Sequence, residues 1–396
     1  MKFSRRYFVN LLLFAGTTLL LSDTASPQKG SPNKPYLVYV GTYTHKSDSK
    51  GIYVYTFDPG TGKLSPLGVA AESEDPSFLA VHPSGKYLYA VNETDHFGAQ
   101  KSGAVSAFSI DTRTGKLTLI NQAATQGAGP CHVSLDKTGK NVLVANYDGG
   151  SVAVFPVRED GSLAPASAVV QHSGSSVNKE RQEGPHAHWI GASPDNRFAL
   201  AADLGLDEVL VYRFNTAKGT LTPNDPPFTK VNPGAGPRHV AFHPNGKFAY
   251  VLSEMDDSVT AFSYKTSSGS LSPLQTVSAL STLRKDYTGP KEAAEIAVHP
   301  NGKFLYASNR AGIDTISVFS IDPMKGTLKL KDEYPTMGKT PRNFAIDPTG
   351  KFLLAANQES NNIVTFRIDL TTGALTPTGD IAEAPAPVCI TFVALH

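Results

Sequence analysis

The stretch Gly236-Pro237-Arg238-His239-Val240-Ala241-Phe242-His243-Pro244-Asn245-Gly246-Lys247-Phe248-Ala249-Tyr250-Val251-Leu252-Ser253-Glu254 reads as a strand, a tight turn and a second strand. The turn is His-Pro-Asn-Gly-Lys, in which Pro fixes φ and Gly accepts a positive φ. Paired neighbours run antiparallel, so the start of the first strand lies beside the end of the second. Arg238 and Glu254 are therefore expected at one end of the hairpin, away from the turn.

The same block recurs. His82 to Asn92, Asp136 to Asn146, Ser193 to Asp203, and blocks starting at His243, His299 and Asp347 repeat it at spacings of 54, 57, 50, 56 and 48 residues. Each is followed by a third strand with an aromatic near its end: Phe108, Phe155, Tyr212, Phe262, Phe319 and Phe366. A Gly-containing hairpin such as Thr114-Gly115-Lys116-Leu117 then leads into a fourth strand. A seventh repeat is split. Residues 36–43 look like a second strand with no first strand before them, and Tyr55 holds the aromatic position. The missing strand is at the far end, where Pro387-Val388-Cys389-Ile390-Thr391-Phe392 parallels Pro76-Ser77-Phe78-Leu79-Ala80-Val81. Repeats of this length with ring closure predict an all-β, seven-bladed β-propeller, four antiparallel strands per blade, occupying residues 36–396 as one domain.

Composition agrees. The chain has 396 residues, 40% hydrophobic, with 34 Gly, 28 Pro and a formal net charge of +1. Near-neutral charge gives no reason to expect a nucleic-acid partner. The two cysteines, Cys131 and Cys389, form no metal-ligand spacing, and no bridge between them is expected. No Gly-rich phosphate loop or nucleophile elbow is present, so no cofactor and no metal are expected. Residues 1–25 join a basic start to about a dozen apolar residues, too short for a comfortable membrane span and suited to a signal. Ser4-Arg5-Arg6-Tyr7-Phe8-Val9 is similar to a twin-arginine export signal. Export to the periplasm or beyond, a linker over 26–35, no membrane span in the mature chain and a monomer are the expectations. A cytoplasmic location follows if the signal reading fails.

In a propeller the first strand of each blade lines the channel, so its start and the end of strand two share one mouth. This sorts the histidines. His82, His243 and His299 are turn residues on the far side and read as turn-stabilising. His132, His186, His188 and His239 fall on the near mouth, with Arg238, Glu295 and Arg342 at other first-strand starts. Strand-two ends add Asn92-Glu93, Asn146-Tyr147, Asp203, Ser253-Glu254, Asn309-Arg310 and Asn357-Gln358. Such groups are costly to desolvate and are not collected at one rim for scaffolding alone. Arginines clamp a carboxylate, phosphate or oxyanion, and a carboxylate or imidazole moves a proton.

Gly236-Pro237-Arg238-His239, Ser308-Asn309-Arg310, Ala356-Asn357-Gln358, Asp203-Leu204-Gly205 and Gly184-Pro185-His186-Ala187-His188 together resemble the seven-bladed propeller lactonases. That family includes propeller-type 6-phosphogluconolactonases and fungal 3-carboxymuconate cyclases. The resemblance covers residues 36–396 and implies a metal-independent hydrolase acting on a small-molecule lactone with an anionic group. It implies His188, Glu254, Arg238 and Arg310 as catalytic residues, with the arginines on the anion and Glu254 or His188 on the proton. His186, Asp203, His132, Asn309 and Gln358 are the candidate substrate-binding residues. A lactonising isomerase of the muconate type uses the same groups, and a non-catalytic binding platform is a third reading.

Overall fold

A computed structural model describes residue 1, residues 34–280 and residues 287–395. All but the first residue of the export segment and all but the last two linker residues lie outside them. Among the described residues, 28 strands form seven four-stranded antiparallel sheets arranged as blades of one ring. Closure follows the sequence expectation: Tyr36–Thr42 pairs with Gly51–Phe57 on one side and with the C-terminal Pro387–Ala394 on the other.

The core lies between blades. The apolar faces of neighbouring sheets interdigitate, as where Phe248, Tyr250 and Leu252 of blade five meet Ile296, Leu305 and Phe319 of blade six. The seven repeat aromatics, Tyr55, Phe108, Phe155, Tyr212, Phe262, Phe319 and Phe366, are all buried there. Losing one such ring to Ala costs about 3–5 kcal/mol through lost transfer energy and the cavity left behind. Closing the sheets into a ring leaves only short outer edges unpaired.

The far-side histidines tie blade to blade. Nε2 of His82, His243 and His299 donates to the carbonyls of Gly139 (3.1 Å), Gly302 (2.9 Å) and Gly350 (2.8 Å) in the next blade's turn. Their Nδ1 atoms accept backbone N–H groups, which fixes the tautomer. Gly is required at those turns twice over. Gly139 has φ +73°, and a Cβ there would come within 2.3 Å of the His82 ring. Both cysteines are buried and free.

Candidate active site

A repeated irregularity builds the near mouth. In blades three, four, five and seven, the pairing of strands one and two slips between Pro130 and His132, Ala187 and Trp189, Pro237 and His239, and Pro341 and Asn343. The residues skipped are Cys131, His188, Arg238 and Arg342. A bulged residue leaves the ladder, and its side chain can be re-aimed. The position just after strand two supplies a companion ring of Tyr43, Glu93, Tyr147, Leu204, Glu254, Arg310 and Gln358.

On one side of the mouth everything converges on Glu254. Arg181 Nη2 donates to Oε1 at 2.7 Å, Arg238 Nε to Oε2 at 2.9 Å, and Arg310 Nη2 lies 3.2 Å from Oε2. His188 Nε2 is 3.9 Å from the same oxygen. Burial alone would raise the carboxyl, but Arg310 and Arg238, with Arg181, hold it down at about 2. Burial, then the charge of Arg238, pushes His188 well below the usual imidazole range, so it is neutral at pH 7. The four residues expected to be catalytic are thus brought into one cluster.

The opposite side centres on Glu93, the same repeat position in blade two. Tyr43 Oη donates to its carboxylate at 3.0 Å, Ser77 Oγ makes a short hydrogen bond to it, and Arg342 Nη2 donates to Tyr43 Oη at 2.9 Å. Burial raises the Glu93 pKa against the opposing pull of Arg342, Ser77 and Tyr43. Tyr43, Ser77, Glu93, Arg238 and Arg342 together line a gap of about 10 Å³ at the floor of the mouth. Above it, Tyr43 and Glu93 also line a cleft of about 880 Å³, shared with His45, Gln358 and Asn361.

Below the mouth, the next residue of each inner strand forms a buried layer. His132 packs against Phe78 at 4.4 Å and His239 at 5.4 Å, and Nδ1 of His239 meets Glu295 at 3.1 Å. Glu295 also accepts from Asn343 at 2.5 Å, and burial raises it to about 7.

The remaining sequence-chosen binders divide. Gln358 lines the cleft, and His186 stacks on Tyr147 at the rim, ring centroids 4.6 Å apart. His132 instead belongs to the buried layer, its Nδ1 accepting from Ile190 N–H at 3.4 Å. Asp203 is wholly buried, accepting from His172 (2.6 Å), His186 N–H (2.7 Å) and Gly205 N–H (3.0 Å), which leaves no edge for a substrate. Asn309 is equally buried and donates to Thr315 and Ser317 of its own blade. These three are corrected from mouth-lining residues to structural ones. Arg181 was missed because it lies on the non-repeating loop between blades three and four, where no register predicts its reach. Glu93, already among the strand-two ends at the mouth, could have been marked as the counterpart of Glu254 by aligning Asn92-Glu93 with Ser253-Glu254, whereas its partners Tyr43 and Ser77 come from different blades. Among the described residues, no cluster of three or more His, Cys, Asp and Glu is arranged to hold a metal ion.

Fold and mouth together define a propeller with a cationic, hydrogen-bonding pocket at one end of its channel. The family described as "Lactonase, 7-bladed beta-propeller" matches residues 37–392, and the chain belongs to it. It is 39% identical over 358 residues to the 6-phosphogluconolactonase of Bacillus subtilis, covering 90% of this chain and 98% of that one. Among solved structures it is similar to a putative 6-phosphogluconolactonase from Bacteroides fragilis (40% identity, TM-score 0.84, 92% of this chain and 100% of that one). It is also similar to a periplasmic gluconolactonase from Pseudomonas aeruginosa (36% identity, TM-score 0.85, 91% and 100%).

Proposed function

We propose that this protein hydrolyses a sugar lactone, 6-phosphogluconolactone or its unphosphorylated counterpart, to the open hydroxy acid. The observation that carries the reading is the cationic mouth: Arg181, Arg238 and Arg310 gather on Glu254, while Arg238 and Arg342 line a small gap with Glu93, which also borders a cleft of about 880 Å³, a size that suits a sugar ring. Guanidinium groups there favour the oxyanion that develops when water adds to the lactone carbonyl, and a phosphate or carboxylate elsewhere on the substrate. The relatives named for 6-phosphogluconolactone and gluconolactone support the substrate class.

Within the cluster we assign Glu254 as the counter-ion that aligns Arg238 and Arg310. A carboxylate held at about 2 and covered by three guanidinium groups is too weak a base to activate water. Neutral His188 then serves as a hydrogen-bonding contact for the substrate beside that pair. We also read residues 1–25 as an export signal, a reading that a periplasmic relative supports. An exported enzyme meets unphosphorylated sugar lactones more readily than phosphorylated ones.

The test is hydrolysis of 6-phosphogluconolactone and of glucono-δ-lactone, with spontaneous opening subtracted, by the wild type and by Arg238→Ala/Glu254→Ala. Turnover lost in the folded double variant is the expected result. The ratio between the two substrates says whether the arginines read a phosphate. Wild-type protein that opens neither lactone faster than buffer rules the reading out.

A further inference from the structure

The arginines of the mouth differ in how many N–H groups they have left. Arg310 spends all three nitrogens: Nε on the Glu292 carbonyl, Nη1 facing the Glu292 carboxylate, and Nη2 on Glu254 and the Ala293 carbonyl. Arg238 spends Nε on Glu254 and Nη1 on the Ala294 carbonyl and His239, leaving Nη2 without a partner among the described residues. Arg342 spends only Nη2, on Tyr43, and its Nε and Nη1 have no partner among the described residues. Its guanidinium lies against the Tyr43 ring, 5.2 Å from the centroid, which fixes its orientation. Arg238 and Arg342, the two arginines with unspent donors, line the same small gap as Glu93.

The carboxylates differ in the same way. Glu254 is only 5% exposed and lies under three guanidinium groups, whereas Glu93 is part-exposed, held by two hydroxyls, and borders both the gap and the cleft above it. A carboxylate meeting water at the edge of a cleft is placed to take a proton; one sealed under cations is not. Where two carboxylates of one site have environments that push them apart, the less acidic is the candidate for proton transfer.

We propose that Glu93 and Arg342 form the reacting half of the site: Arg342 binds the lactone carbonyl oxygen and Glu93 removes the proton from the attacking water. The inference rests on the lactone-hydrolysis reading and names the residues that perform it. The water oxygen bonds to the carbonyl carbon while its proton passes to the Glu93 carboxylate. The resulting oxyanion receives the N–H groups of Arg342, with Arg238 Nη2 beside them. The bond from carbon to the ring oxygen then breaks, and the proton on Glu93 goes to that oxygen. This leaves the open hydroxy acid and restores the carboxylate. Ser77 and Tyr43 hold Glu93 in place and are positioning residues.

The test is kcat and KM against pH on glucono-δ-lactone and 6-phosphogluconolactone, using wild type, Glu93→Gln, Arg342→Lys and Ser77→Ala. Glu93→Gln is expected to lower kcat by about 10²–10³-fold with little change in KM and to remove the acid limb of the profile. Arg342→Lys keeps the charge but loses the fork and is expected to lose about 10²-fold in kcat. Ser77→Ala removes a hydrogen bond that lowers the Glu93 pKa, so its acid limb should move to higher pH. That shift does not arise from a merely structural role, and it tests the proposal even if Glu93→Gln fails to fold. An active wild type with Glu93→Gln keeping kcat and the acid limb, or with Ser77→Ala leaving the limb in place, overturns this inference alone. A wild type inactive on both lactones overturns the proposed function and this inference with it.

Discussion

Glu254 and Glu93 occupy the same position of the repeat, one residue past strand two, in blades five and two. Around Glu254 its own blade, blade six and one loop place Arg238, Arg310 and Arg181; around Glu93 its own blade and blade one place Ser77 and Tyr43, and blade seven adds Arg342 through Tyr43. The first carboxylate is locked as an anion, and the second is left as a group that can gain and lose a proton. A propeller thus repeats a backbone position seven times and sets the chemistry at each by the side chains that nearby bulges, strand ends and loops bring to it. The contrast is one of neighbours, since the backbone position is shared.

The largest expected effect comes from breaking the locked side. Glu254→Gln leaves Arg181, Arg238 and Arg310 facing one another without their shared anion. Removing one partner of a buried ion pair costs about 3–5 kcal/mol, because the charges left behind are uncompensated. We expect a fall of that size in denaturant unfolding, together with loss of lactone turnover. Glu93→Gln, whose partners are mainly hydroxyls, should cost about 1 kcal/mol, the scale of an ordinary hydrogen bond. Equal destabilisation by the two variants would remove the distinction between a locked and an open carboxylate.

Acid titration sharpens the same point. Glu254 has a folded pKa of about 2 against an ordinary value of 4.5. Its folded value is depressed, so its contribution is complete above pH 4.5 and is lost as pH falls toward 2. A shift of that size corresponds to about 3 kcal/mol. Unfolding free energy measured from pH 6 to pH 2 should fall steeply in the wild type and less so in Glu254→Gln. Glu295, one layer down, has the opposite sign. Burial raises it to about 7, so the native state binds the extra proton and stability declines as pH rises from about 4.5 to 7. Glu295→Gln should flatten that decline and unfold at higher denaturant than wild type at pH 8. No gain at pH 8 would mean that the carboxylate is better solvated than its burial implies.

How much of this was readable in the chain follows from strand alternation. The blades and their closure were legible, because turn glycines, repeat aromatics and the displaced strand Pro387–Ala394 are all local signals. Arg238, His188, Glu254 and Arg310 were legible as strand-end residues. Asp203 and Asn309 were misread for a simple reason: side chains alternate along a strand. The last residue of strand two therefore turns back to brace its own blade, while the next one, Glu254 or Arg310, turns to the mouth. His132 was misread by one step for the same cause, since the bulge sends Cys131 to the mouth and returns His132 to the layer beneath. The bulge leaves no composition signal of its own, and the partners of Glu93 come from two different blades, so neither feature could be read along the sequence.

The smallest expected effect belongs to Arg181, and it measures how far the locked side depends on its exposed member. Its guanidinium bridges Glu254 Oε1 at 2.7 Å and Tyr147 Oη at 3.2 Å, but its side chain is 41% exposed, against 3% for Arg238 and 6% for Arg310. Exposed ion pairs contribute about 0–1 kcal/mol and weaken with salt. Arg181→Ala should therefore leave the unfolding midpoint nearly unchanged, since Arg238 and Arg310 still neutralise Glu254. Its loss should show in KM for an anionic lactone, by about 10-fold at low salt and less at 0.5 M salt, as expected of a cation that attracts substrate at the rim. On glucono-δ-lactone, which carries no charge, the variant should match the wild type. An equal loss on both lactones would mean that Arg181 acts by aligning Glu254, and would place the exposed arginine with the buried pair instead of with the substrate's path into the cleft.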